Sequence, residues 1–186
     1  MLRVCVLAAA LLIAARPQPP LTLEIRVFQG SEDVTSQTRI AIHRAGERGQ
    51  PLAHLGPGEA RATRAVPPGI YDAQAVLERE GQVVSIRWAE RLVVMPYPDE
   101  RGHHLEVINL TNGYGALQLR GDEDTRFELF AAGDRQQPIE AAATAGYSLF
   151  VVPAGRYDIQ VTRGPRGRWH TGVEVPLDRT RLWIAQ

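Results

Sequence analysis

Residues 66–74 read VPPGIYDAQ, and residues 152–160 read VPAGRYDIQ. Each stretch predicts a corner between two strands. The residue before a proline is pushed to extended backbone, so Val66 and Val152 are expected to end a strand. Pro68-Gly69 fits the centre of a type II turn, in which proline sets φ and glycine supplies the positive φ that follows. Ala154-Gly155 keeps the glycine. A new strand begins at once. Period-two alternation puts Tyr71, Ala73, Ala75 and Leu77 on one face, matched by Tyr157, Ile159 and Val161. Asp72 and Gln74, like Asp158 and Gln160, then point the other way, and each acid is expected to cap a turn or meet a neighbouring arginine. The structural corner is thus assigned to Pro68, Gly69 and Tyr71, and to Gly155 and Tyr157.

A match of this length invites a search for a longer repeat. RIAIHR (39–44) pairs with RFELFA (126–131), and AGERGQPL (45–52) with AAGDRQQPI (131–139). Further on, Trp88 pairs with Trp169, and Leu105 and Val107 with Leu182 and Ile184. The spacing between partners shrinks along the chain, because the first copy has the longer hairpin after its tyrosine and the longer turn after its late strand. Insertions confined to turns are what a structural duplication tolerates. The expected organisation is a signal peptide at 1–15, a proline-rich linker at 16–20, a first module at 21–109, a linker LTNGYG at 110–115 and a second module at 116–186. So short a linker should leave the copies touching.

Most segments between turns alternate with period two. LTLEIRVF (21–28) sets Leu21, Leu23, Ile25 and Val27 against Thr22, Glu24 and Arg26, and GALQLR (115–120) puts Leu117 and Leu119 inside. IEAAATAG (139–146) is the most helix-like stretch, and its place in the repeat predicts a loop or a single turn. The fold class that follows is all-β: two tandem antiparallel β-sandwich domains, Ig-like or prealbumin-like, arising from internal duplication. The corner pattern V-P-x-G-x-Y-D-x-Q resembles that of carboxypeptidase regulatory-like domains, and is similar to PEGA-type and transthyretin-like modules. The resemblance implies sandwiches of about seven strands that serve as accessory or binding parts of exported bacterial proteins. It brings no catalytic residues.

The N-terminal stretch MLRVCVLAAALLIAARPQPP has Arg3, an apolar run from Val4 to Ala15, then Arg16 and prolines. That is the layout of a secretory signal peptide. The run is shorter than the roughly 20 apolar residues of a spanning helix. The expectation is a secreted or periplasmic protein with no membrane span in the mature chain; a retained N-terminal anchor is the other reading. The one cysteine, Cys5, lies inside this run, which removes disulfides and thiolate chemistry from the mature chain. All 21 basic residues are arginine, which with abundant Ala, Gly and Pro suggests a GC-rich bacterial genome. They are balanced by 21 acids, so net charge gives no pull towards nucleic acid.

Motifs for chemistry are missing. His103 and His104 are adjacent in an extended run, so they point to opposite faces and are poorly placed to share an ion. There is no G-x-S-x-G, and GDED (121–124) lacks the calcium-loop rhythm and reads as a solvated turn. No catalytic, metal or cofactor residue is therefore expected, and no cofactor. Trp88 counts in phase with Leu92 and Val94, and Trp169 with Val173 and Val175, which assigns both to the core. Trp183 lies between Leu182 and Ile184 and so is read as outward, filling the seam between the copies or meeting a partner. The hairpin after the tyrosine strand ends in LEREGQ (77–82) in the first copy and TRGPRGRW (162–169) in the second. Arg163, Arg166 and Arg168 make the second tip basic, and arginine forks suit carboxylates and phosphates. A solvated hairpin is the plainer reading of them. The functional expectation is a non-catalytic exported binding or envelope-structural protein, whose partner is a protein or an anionic envelope polymer. The alternative is a carbohydrate-binding accessory module or hydrolase-associated protein.

Overall fold

In the computed structural model the described residues are 19–58, 62–96, 102–142 and 145–185. The expected signal peptide and residues 16–18 of the linker lie outside them. The first half of the chain runs β1 (Leu21–Gln29), β2 (Glu32–Asp33), a 3-10 turn (Thr35–Gln37), β3 (Thr38–Arg44), β4 (Ala53–Leu55), β5 (Ala62–Val66), β6 (Gly69–Arg79), β7 (Gln82–Val94) and β8 (His103–Asn109). The second half runs β9 (Tyr114–Arg120), β10 (Thr125–Ala131), β11 (Glu140–Ala141), β12 (Tyr147–Pro153), β13 (Gly155–Arg163), β14 (Arg166–Val175) and β15 (Thr180–Ile184).

The two halves repeat one topology. In module one, β1 lies between β5 and β8, and the facing sheet has the order β4-β3-β6-β7. In module two, β9 lies between β12 and β15, facing β11-β10-β13-β14. The pairs are antiparallel except one in each module: β8 runs parallel to β1, and β15 parallel to β9. Part of 139–146 pairs as β11 against the edge of β10, because an open edge offers backbone partners that local sequence does not announce. The cores are separate. Leu23, Ile25, Ile40, Ile42 and Leu77 are fully buried in one, and Leu117, Leu119, Phe127, Leu129 and Ile159 in the other. Each such side chain contributes about 1.5–3 kcal/mol on leaving water.

The corner is built differently from the turn expected of it. Neither Gly69 nor Gly155 is at positive φ, so there is no type II turn. The Tyr71 hydroxyl instead donates to the Pro67 carbonyl at 2.6 Å, and the Tyr157 hydroxyl to that of Pro153 at 2.6 Å. The phenol holds the bend, and its ring lies over the glycine, where a Cβ on Gly69 would meet it at 3.4 Å.

The acid that follows the tyrosine is a clamp. Asp72 accepts the N–H of Gly46 at 2.9 Å and of Arg91 at 2.8 Å. Asp158 accepts those of Gly133 at 3.1 Å and Gly172 at 2.9 Å. One glycine belongs to the turn after β3 or β10. The other partner belongs to a bulge in β7 or β14, where Arg91 and Gly172 sit at φ 55° and 67°. Burial pushes the Asp72 carboxyl up, but the two N–H groups, Arg48 and His43 outweigh it and hold it below the ordinary aspartate range. Asp158 is lowered by the N–H groups of Gly172 and Gly133, against burial and with help from Arg135.

The bulge also corrects the tryptophans. It inserts an extra residue between Tyr71↔Leu92 and Ala73↔Ala89, and likewise between Tyr157↔Val173 and Ile159↔His170. Counting by twos through it inverts the faces. Trp88 and Trp169 therefore pair with Gln74 and Gln160 on the outer face, not the core face. Each is flanked there by an arginine and a ring: Arg48 and His43 for Trp88, Arg135 and Phe130 for Trp169.

The modules meet through the outer faces of the sheets that contain β1 and β9, of four strands in module one, where β2 adds to β1, and three in module two. Phe28 and Val107 pack with Ala116 and Val151. Beside this apolar patch runs a polar chain. His103 Nε2 lies 2.8 Å from Glu24 Oε2, and its Nδ1 is 3.5 Å from Arg120 Nη2. An arginine can only donate, so Nδ1 accepts and Nε2 carries the hydrogen given to Glu24. With its amide oxygen turned to Arg120, Gln118 accepts from Nη2 at 2.8 Å and from Nε at 3.0 Å. The Val107 N–H donates to Thr180 Oγ1 at 2.7 Å, and Arg179 donates to the Glu90 carbonyl at 2.8 Å.

Candidate binding cleft

Hairpin β13–β14 carries the three arginines expected to form a basic tip. Its register pairs Ile159 with His170, Val161 with Arg168 and Arg163 with Arg166. These residues share the core-facing side of the sheet. Ile159 is fully buried, but Arg163, Arg166 and Arg168 are exposed. The reason is length. The opposing sheet stops at Arg120 and Ile184, which pair with each other, while the hairpin runs on past it. The inner face of the overhang is left as a cleft of about 430 Å³, lined by Asp122, Val161, Arg163, Arg166, Arg168 and His170 and closed at one end by Ala185.

The charges in the cleft are unequal. Arg163 reaches Asp122 at 2.7 Å and Asp124 at 3.1 Å, so the GDED turn is its counter-charge and not merely a solvated turn. Arg166 and Arg168 have no ion pair among the described residues. Burial and the nearby Arg168 guanidinium lower the His170 pKa, which disfavours the charged ring. Two guanidinium groups without an ion pair among the described residues, and an imidazole whose charged form is disfavoured, therefore face one opening.

Trp183 is not the outward aromatic expected of it. Parallel pairing sets Trp183 beside Leu119 and Leu182 beside Gln118. The indole thus joins the core of module two, edge-on to Phe127 with ring centroids 6.4 Å apart. Leu182 and Ile184 take the other face. The match of Leu182 to Leu105 holds; what sequence could not show is that Leu105 is buried on the outer side of its sheet. Trp183 still bears on the cleft, because its ring lies 4.8 Å from that of His170 and backs it from within.

Module one has the same position and uses it. Gln74↔Trp88 and Ala75↔Arg87 correspond to Gln160↔Trp169 and Val161↔Arg168, so Arg87 is the counterpart of Arg168. Arg87 is 2.7 Å from Asp178 of module two and also donates to Asn112. The turn Leu177, Asp178, Arg179 closes over this spot and leaves a cavity of about 280 Å³. Among the described residues nothing closes over Arg168.

The remaining candidates separate. His103 and His104 each meet a different acid, Glu24 and Glu106 at 2.8 and 2.9 Å. No group of three or more potential ligands gathers for a metal among the described residues, and none of their helices is long and apolar enough to cross a membrane. Sequence reasoning missed His170, Asp122 and Asp124 as parts of the cleft. The signal was present for the arginine pair, since Arg87 and Arg168 immediately precede the matched tryptophans.

No protein-family model matches the chain, and no curated protein matches it in sequence. Among solved structures, the TIE protein of Bacillus anthracis is similar with 13% identity and a TM-score of 0.31, over 89% of this chain and 33% of that one. A leucine-rich repeat protein from Bacteroides thetaiotaomicron gives 10% identity and 0.33, over 89% and 26%. A DUF3823 family protein from Parabacteroides merdae gives 10% and 0.29, over 85% and 99%. The chain thus spans about a third and a quarter of the first two. Likenesses of this size carry no argument about ligand or activity.

Proposed function

We propose that this chain is a non-catalytic exported binding protein, in which module one and the seam hold module two so that its arginine-lined cleft receives an anionic group of a partner. The observation that carries this reading is the pair Arg166 and Arg168, without an ion pair among the described residues, at the mouth of a cleft beside His170, whose charged form is disfavoured there. Export and a secreted or periplasmic location rest on the charged start and apolar run of the first 15 residues. The corner, with its tyrosine and clamping acid, keeps the likeness to carboxypeptidase regulatory-like modules as part of the same proposal. The carbohydrate-binding alternative has less support: Trp88 and Trp169 are each already flanked by an arginine and a ring, which leaves no free indole platform. The test is retention of the full-length protein on a carboxylate matrix at low salt. Arg166→Ser/Arg168→Ser should elute at clearly lower salt than the parent, with the same Tm. Elution at the same salt removes the cleft from the proposal.

A further inference from the structure

The duplication supplies its own precedent for what the cleft takes. Arg87 and Arg168 occupy one position in two copies of one fold, each next to a tryptophan and each across the sheet from a small or branched apolar residue, Ala75 or Val161. In module one the arginine is engaged, at 2.7 Å, by a carboxylate on a turn between two strands of another module. That turn brings Leu177 and Arg179 with it, and Arg179 fixes its approach by donating to the Glu90 carbonyl. In module two the same arginine looks into a larger opening, with Arg166 added and Ala89 of module one replaced by His170.

We propose that the cleft of module two takes a carboxylate borne on a turn of a polypeptide, docked as Asp178 is docked on module one. The inference rests on the reading of the cleft as an anion site and deepens it by naming the ligand. Three features favour this occupant over a phosphate or a uronic-acid polymer. Arg87 already accepts an aspartate in this geometry. Asp122 and Asp124 both lie against Arg163, so the three arginines and two aspartates in and beside the cleft leave a single net positive charge, which one carboxylate balances. The walls at Val161 and Ala185 are apolar, as suits an aliphatic neighbour such as Leu177 and not a hydroxyl-rich sugar. In module one the turn is tethered, so a modest contact suffices there; a free partner must add contacts of its own.

The experiment uses the full-length protein and the proton resonances of His170, which a carboxylate near Arg168 shifts and whose pKa it raises. The probes are a capped peptide of residues 175–181, VPLDRTR, the same peptide with Asp178→Asn, inorganic phosphate, and a galacturonate oligomer. The expected result is a saturable shift with VPLDRTR on the order of millimolar Kd, at least tenfold weaker binding of the Asn peptide, and no shift in Arg168→Ser, whose Tm matches the parent. If phosphate or the galacturonate oligomer binds as tightly as VPLDRTR, the polypeptide-turn proposal is wrong while the anion site stands; if the Asn peptide binds equally, the cleft does not read negative charge and both readings fall. If none of the four shifts His170, both readings fall.

Discussion

The two modules share a strand order, a corner and a clamp, yet one arginine position is occupied by a carboxylate in the first and open in the second. In module one, Arg87 is spent on Asp178 and on the seam. In module two, Arg168 is left at an edge with a second arginine beside it. The two copies thus differ at this position while keeping the same order of the long strands. Module one uses this side as a joint, and in module two the same side meets no second module among the described residues. The shared parts are those in which a small change would unmake the sandwich; the divergent parts lie on the hairpin overhang, where substitution costs little stability.

Four sets of substitutions test how far the likeness goes, from the largest effect down. Phe127→Ala in module two should cost about 3–5 kcal/mol and Ile42→Ala in module one about 2–5 kcal/mol, read from urea unfolding. Because the seam joins the modules through Phe28, Val107, Ala116 and Val151, each variant should still unfold in one transition. Two resolved transitions would mean that the seam does not couple the halves.

Asp72→Ala should cost about 2 kcal/mol, since it strands the N–H groups of Gly46 and Arg91. Asp158→Ala should act in the same direction. Both carboxyls are held below the ordinary aspartate range. The stability they add is complete above that range and is lost as pH falls through their lowered values in the folded state. The acid limb of a Tm–pH profile should flatten in Asp72→Asn and again in the double variant with Asp158→Asn. An unchanged acid limb in the double variant would show that the clamps are not the acid-sensitive groups.

Tyr71→Phe and Tyr157→Phe each remove one hydroxyl bond of 2.6 Å and should cost about 1 kcal/mol apiece. Their near equality is the point; a several-fold difference would show that one corner is held by something else. The smallest effect is a gain. Arg91 adopts φ 55° where its counterpart is Gly172, so Arg91→Gly should stabilise by roughly 0.5–1 kcal/mol in thermal or urea unfolding. A loss of stability would assign the Arg91 side chain a role in the seam cleft it shares with His104 and Glu106.

Much of the fold was legible because strand alternation and a repeated corner are local signals. The inward sets Leu21, Leu23, Ile25, Val27 and Tyr71, Ala73, Ala75, Leu77 are those found in the core. The errors arose where period two was counted through something sequence does not mark. A one-residue bulge before Leu92 and Val173 moved both tryptophans outward. A buried outer face at the seam made Leu105 look like core and, by phase, sent Trp183 the wrong way. The basic tip was visible as composition; that it is the inner wall of a cleft depends on where β9 and β15 stop.

The sequence by itself determined the strands, the duplication and the place of the corner, since each is written in neighbouring residues whose sterics and alternation act locally; it did not determine the tyrosine hydroxyl bond that holds the corner. Only the tertiary structure decided which faces are inside, which arginine is spent and which is available. Those outcomes depend on how one sheet lies over another and where its strands end, and no run of adjacent residues encodes the length of the sheet opposite.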